Sequence, residues 1–138
     1  MKWTNSYAVH IPAIDREHRE LFGMLVDLRR SVKAGAGPDL LQPALKALLA
    51  HAALHFANEE RRMQAARYPS YAWHKKQHDG LARRMKQLLR LLGTAGNPPM
   101  AGQLDYLDDW LKTHTSITDR MMASFLRNHD RGRAALAS

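Results

Sequence analysis

Apolar side chains recur at three- and four-residue steps along almost the whole chain, the spacing that builds one inward stripe on an α-helix. The first run is Ile14, His18, Leu21, Phe22, Leu25, Leu28 and Val32; the second is Leu41, Leu45, Leu48, Ala52, His55, Phe56, Glu59 and Met63. A third carries His74, His78, Leu81, Met85, Leu88 and Leu92. The fourth carries Leu104, Leu107, Leu111, His114, Met121 and Phe125, with Thr118 as a polar gap. Between the runs stand Gly35-Ala36-Gly37-Pro38, Tyr68-Pro69-Ser70 and the segment Gly93 to Pro99, where Gly opens left-handed turns and Pro cannot continue a helix. Period-two alternation is absent and β-branched residues are few. The pattern predicts helices over about 15–34, 39–67, 70–92 and 100–127, and hence an all-α, antiparallel, up-down-up-down four-helix bundle. One domain over 1–138 is expected, with its core over about 10–127, segment 1–12 packed on the bundle and tail 128–138 flexible beyond the last apolar anchor.

A bundle core excludes acids and clustered histidines, because an unpaired buried charge costs several kcal/mol. Here they lie on the apolar rows. His55 and Glu59 are one turn apart, as are His74 and His78, so each pair points from one helix face. His114 and Asp119 are five residues apart, about 140° of α-helical rotation, and so would reach a common centre only from its two flanks. The heights agree across the predicted helices. His18 lies about 16 residues before the end of its helix and His55 about 16 after the start of the next. Glu59 with His78, His78 with His114, and His74 with Asp119 match in the same way, so all seven groups fall in a slab roughly 10 Å thick.

Composition narrows what such a slab could hold. The 138 residues include no cysteine, which removes disulfides, thiolate metal sites and cysteine nucleophiles, so any metal must be held by nitrogen and oxygen. Eight histidines are far above the roughly three that ordinary usage would supply. No apolar run reaches the roughly 18 residues of a membrane span, so a cytoplasmic protein is expected. The net charge of +8 admits an anionic partner. The pairs Arg29-Arg30, Arg61-Arg62, Lys75-Lys76 and Arg83-Arg84 read most simply as solvated faces, and the aromatics do not interleave with them as nucleic-acid stacking platforms would. No nucleic-acid or membrane partner is therefore assigned, and a monomer is expected.

Two six-coordinate metals offer twelve positions. Five imidazoles, two bridging carboxylates and one bridging water oxygen fill all but one, and a single vacancy inside an apolar bundle suits a small ligand. A set rich in neutral nitrogen favours reversible binding over oxidative chemistry, while ligand type alone leaves iron, manganese, zinc and copper open.

Four stretches in order carry a resemblance: Ile14-Asp15-Arg16-Glu17-His18-Arg19-Glu20-Leu21-Phe22; His55-Phe56-Ala57-Asn58-Glu59-Glu60 with Met63 and Tyr68-Pro69 downstream; His74-x3-His78; and Trp110-Leu111-x2-His114-x4-Asp119. Together they resemble the hemerythrin family, in its single-domain bacterial branch, from Trp3 to about Phe125. The resemblance implies a di-iron centre (Fe2+/Fe3+) with a bridging oxo or hydroxo group that binds O2 reversibly at one iron, for storage, delivery or sensing. It implies that His74, His78 and His114 hold the six-coordinate iron, His18 and His55 the five-coordinate one, and that Glu59 and Asp119 bridge. Phe56 and Leu111 would line the oxygen pocket. Thr115 would border it where the family often has an apolar residue, and the backbone carbonyl one turn back is an alternative partner for its hydroxyl. The carrier reading assigns no catalytic residue. Its rivals are the same centre turning over O2, peroxide or nitric oxide, and a sensor module signalling through a partner. His10, His51 and His129 lack the motif context; His51 is expected to pair with a neighbouring group, and Glu60 to point outward to solvent or a salt bridge.

Overall fold

A computed structural model describes residues 2–94 and 100–137, so residues 95–99 of the expected breaker at 93–99 lie outside the described residues. After a short 3-10 turn at Asn5–Tyr7 come helices α1 (Pro12–Lys33), α2 (Pro38–Ala65), α3 (Tyr71–Thr94) and α4 (Met100–Thr113). A π-helical turn at His114–Asp119 joins α4 to α5 (Arg120–Ala137) in one continuous rod, the fourth of the bundle. The helix continues through the segment expected to be a tail, with residues 131–136 exposed along it. α1 packs against α2 and α4, and α2 against α3 and α5.

The turns follow from local chemistry. Gly35, at φ 81°, ends α1 in the left-handed conformation that a residue without Cβ adopts freely. This lets Gly35 N–H bond Val32 O and Ala36 N–H bond Ser31 O, the paired bonds that close a helix C-terminus. α2 ends the same way at Arg67, φ 55°, with Tyr68 N–H on Met63 O at 2.9 Å. At the same end of the bundle as Arg67, the Asp15 carboxylate accepts from Val9 N–H at 2.8 Å and His10 N–H at 3.1 Å, tying the N-terminal segment to α1. Arg127 donates to Val9 O from the fourth rod. Arg29 is no free surface cation: its guanidinium bonds Asp105 at 2.9 Å and the nearly buried Asp108 at 2.5 Å.

Two apolar clusters fill the core. The larger joins Leu21, Leu25, Leu45, Leu48, Leu88, Leu104 and their neighbours. The smaller comprises Val9, Ile14, Met63, Ala66, Tyr68, Met122, Ala123 and Leu126. The fourth stripe departs from its expected course after His114. Met121 is 51% exposed and Phe125 packs only at the edge, while Met122, Ala123 and Leu126 are buried. A π turn carries one residue more than an α turn, and that extra residue rotates every later position by about 100°.

Candidate metal centre

The layer between the two apolar clusters is polar and sealed. His18, Glu59 and His74 are 0% exposed, and His55, His78, His114 and Asp119 are at most 3% exposed. The π turn brings His114 and Asp119 to one face instead of two flanks, and His114 Nε2 stands 3.1 Å from Asp119 Oδ1.

All five imidazoles turn Nε2 inward onto the two carboxylates, and each carboxylate is shared. Glu59 Oε1 lies 3.3 Å from His74 and 3.0 Å from His78, while Glu59 Oε2 lies 3.1 Å from His55 and 3.5 Å from His18. Asp119 Oδ1 lies 3.1 Å from both His74 and His114, and Asp119 Oδ2 lies 2.9 Å from His18. Two overlapping ligand sets result, Glu59, His74, His78, His114 and Asp119 in one and His18, His55, Glu59 and Asp119 in the other, each with donor atoms within 4.8 Å of one another. Ligands about 2.1 Å from a common ion at right angles lie about 3.0 Å apart, so the observed separations are those of neighbouring ligands around an ion.

The outer nitrogens settle which atoms are lone pairs. His55 Nδ1 meets Glu17 Oε1 at 2.8 Å, His78 Nδ1 meets Glu60 Oε2 at 2.8 Å, and His114 Nδ1 meets Gln77 Oε1 at 2.9 Å. Those oxygens only accept, so each Nδ1 carries the hydrogen and a neutral ring presents a lone pair at Nε2. His78 Nε2 and His114 Nε2 then face each other at 3.1 Å, beside carboxylate oxygens that also only accept. Such a cluster is stable only around cations, either protons or metal ions. Without metal the protons stay. Burial would lower the His18, His55 and His74 imidazoles, but their bonds and charge pairing with Asp119, Glu59 and Glu17 outweigh it and raise them to about 9, about 10 and about 9. Burial would likewise raise Glu59 and Asp119, yet the surrounding imidazoles hold both well below the usual carboxylate range.

Glu17, Glu60 and Gln77 do not stand out in the sequence, yet they form a pattern. Glu17, next to His18 on α1, braces His55 on α2; Glu60, next to Glu59 on α2, braces His78 on α3; Gln77, next to His78 on α3, braces His114 on the fourth rod. Each helix thus supplies a group to the cluster and an adjacent group that orients the imidazole of the next helix. Gln77 Oε1 also accepts from the Thr118 hydroxyl at 3.1 Å, which accounts for the polar gap in the fourth stripe. Aromatic faces complete the bracing: Phe56 stacks on His78 at 4.0 Å and Trp110 on His114 at 4.3 Å.

A small cavity of about 20 Å³ lies one turn from the imidazoles, with room for about one small molecule. Its wall includes Leu21, Ala52, Leu81 and Leu111, each three residues from a clustered histidine on its own helix, together with Phe56. Thr115 is fully buried but is not among the cavity's lining residues, and its hydroxyl has no hydrogen-bond partner. The backbone bond considered for it is made instead by Ser116, whose hydroxyl donates to Lys112 O at 2.6 Å. The remaining histidines stand apart: His51 pairs with Glu20 at 2.7 Å, His129 neighbours Asp130 at 3.7 Å, and His10 is exposed.

Fold and site together define an α-helical bundle protein with a two-part, nitrogen-rich metal-ligand cluster sealed in its core. The family model of the hemerythrin HHE cation binding domain matches residues 9–126, and the chain belongs to that family. It is 31% identical over 117 residues to the myohemerythrin of Sipunculus nudus, covering 85% of this chain and 86% of the relative. It is 25% identical over 126 residues to the bacteriohemerythrin of Ralstonia nicotianae, covering 91% and 88%. The crystal structure of a wild-type hemerythrin superposes with a TM-score of 0.80 at 27% identity, covering 91% of this chain and 97% of that one. No helix among the described residues is long and apolar enough to cross a membrane.

Proposed function

We propose that this chain binds O2 reversibly at a pair of iron ions held by His18, His55, Glu59, His74, His78, His114 and Asp119. The observation that carries the reading is the division of Glu59, with Oε1 facing two imidazoles of one set and Oε2 facing the two of the other. A carboxylate so placed serves two ions at once. In this reading His74, His78 and His114 would help hold one ion, and His18 and His55 the other.

Charge supports two divalent ions. Glu17, Glu59, Glu60 and Asp119 bring four negative charges into or against the cluster, and two divalent cations balance them with every histidine neutral. A ferrous pair would supply the electrons that hold O2. The protein's part is to orient and to exclude water. Glu17, Glu60 and Gln77 keep the Nδ1 hydrogens in place so that Nε2 stays available, and the apolar wall at Leu21, Ala52, Phe56, Leu81 and Leu111 offers no proton donor to a small ligand. That dryness favours binding and release of O2 over its turnover. The expected assignment of Phe56 and Leu111 to the oxygen pocket is kept, while Thr115, away from the lining, is left out of it. Reconstitution with ferrous iron without air, followed by O2 and then its removal, tests the reading: a visible band should appear and disappear over repeated cycles. A single irreversible oxidation would favour an oxidase instead.

A further inference from the structure

We propose that the surface formed by α1 and α2 over His55 is a docking face for an acidic electron-donor protein, which restores a centre that has lost its electrons. The inference rests on the redox-active metal pair proposed above. Arg16, Arg61 and Arg62 line one surface groove together with Glu17 and Asn58, and all three arginines are exposed. Among the described residues no carboxylate lies within ion-pair distance of any of the three, as is also true of Lys76, Arg83 and Lys86 on α3; what sets this face apart is that its three guanidinium groups share one groove with the bonded route to His55. Three guanidinium groups share the groove with a single carboxylate, Glu17, whose oxygens are taken by His55 and Asn58, so the groove is net positive and an acidic partner is steered to it.

The face is also the outer end of a bonded route to the cluster. Arg61 donates to Asn58 Oδ1, Asn58 Nδ2 donates to Glu17 Oε2 at 2.6 Å, and Glu17 Oε1 receives the His55 Nδ1 hydrogen at 2.8 Å. His55 Nε2 belongs to the two-imidazole set. One turn before Asn58 on α2, Leu54 is 62% exposed, a single apolar contact beside a basic rim. A small, charged patch of this kind suits a transient encounter better than a stable complex. The absence of any exposed aromatic residue from the groove lining argues for an acidic protein over single-stranded nucleic acid, which needs stacking platforms. Each encounter passes one electron, the donor being oxidised by one and one metal ion reduced by one. Two encounters restore a centre that has released O2 as peroxide, and no bond of the chain is made or broken.

The test uses the iron-loaded protein, oxidised, with a reduced acidic plant-type ferredoxin as donor. Two triple variants carry the same change of charge: Arg16→Glu/Arg61→Glu/Arg62→Glu on the proposed face, and Lys76→Glu/Arg83→Glu/Lys86→Glu on the exposed side of α3. Re-reduction of wild type should slow as salt rises, and at low salt it should fall by about tenfold or more in the face variant and less than about twofold in the α3 variant. Dithionite should reduce all three alike. Hydrogen exchange supplies a readout independent of electron transfer: ferredoxin should protect amides of residues 13–20 and 54–66 in wild type and not in the face variant. Equal slowing in both variants, no slowing in either, or protection elsewhere overturns the docking face. Iron-loaded wild type that dithionite cannot cycle overturns the metal-pair reading instead, while the protection map still decides the docking face.

Discussion

Leu45, Leu88 and Leu104 in the larger apolar cluster and His18, Glu59 and His74 in the polar layer are all at most 2% exposed, inside one bundle. The first three touch apolar neighbours and each lowers the free energy of the fold merely by leaving water. The second three have left water for a place where their own lone pairs confront one another, so their burial costs free energy until a cation arrives. One bundle therefore holds a region that makes the fold and a region that the fold pays for, and the two should answer differently to metal, truncation and pH.

Metal removal should give the largest separation between them. A chelator is expected to lower the melting temperature by more than about 10 °C, because the ions' binding free energy is part of the folding free energy. Leu45→Ala should cost about 2–5 kcal/mol in the loaded and the metal-free protein alike, since it empties space far from the ions. Calorimetry of both proteins in both states checks this. A metal-dependent cost at Leu45 would mean that the two regions are not separate.

Next in size is the bracing of the imidazoles. Glu60→Ala should leave the metal count unchanged but weaken affinity by about 10- to 100-fold, because His78 loses the acceptor that orients it. Competition with a metal indicator measures the loss, and unchanged affinity would make Glu60 a surface charge only.

The metal-free protein sharpens the contrast through pH. His18, His55 and His74 have raised affinities for protons in the fold, so their stabilisation is complete below the ordinary 6.5 and is lost as pH climbs through about 9 to 10. Glu59 and Asp119 are lowered, so theirs is present above the model-compound values of 4.5 and 3.8 and is lost in acid. The melting temperature of the chelated protein should therefore peak between those limits and decline toward pH 10. A melting temperature that rises from pH 6 to pH 10 would contradict it. The smallest effect is at Thr115, whose buried hydroxyl is unbonded: Thr115→Val should stabilise the fold by about 1 kcal/mol, read by denaturant unfolding, and a loss of stability would reveal a partner for that hydroxyl.

The four helices and six of the inward groups, His18, His55, Glu59, His74, His78 and His114, are legible in the sequence because a bundle's inward positions repeat with the helical period, while Asp119 lies off the stripe and is reached only by its height and by the family resemblance. The bracing groups are not legible in that way. Glu17, Glu60 and Gln77 each sit about 100° from a stripe residue, a direction that points outward on an isolated helix but toward the neighbouring helix in a bundle. Glu60, expected to face solvent or a salt bridge, is 19% exposed and does lie 4.0 Å from Lys75, but its other oxygen turns inward to His78. The π turn hides because a one-residue insertion leaves no gap in the chain. Its signal is indirect: Thr113, Thr115, Ser116, Ile117 and Thr118 are weak helix formers, and the five-residue step from His114 to Asp119 fits one face only if the turn widens.

The central claim, that Glu59 serves two ions, is tested most directly by counting metal. Wild-type protein reconstituted with ferrous iron without air, then desalted, should retain about two irons per chain, and Glu59→Ala should retain less than about one because both ligand sets lose a member. One iron per chain in wild type, or two in Glu59→Ala, would contradict the account.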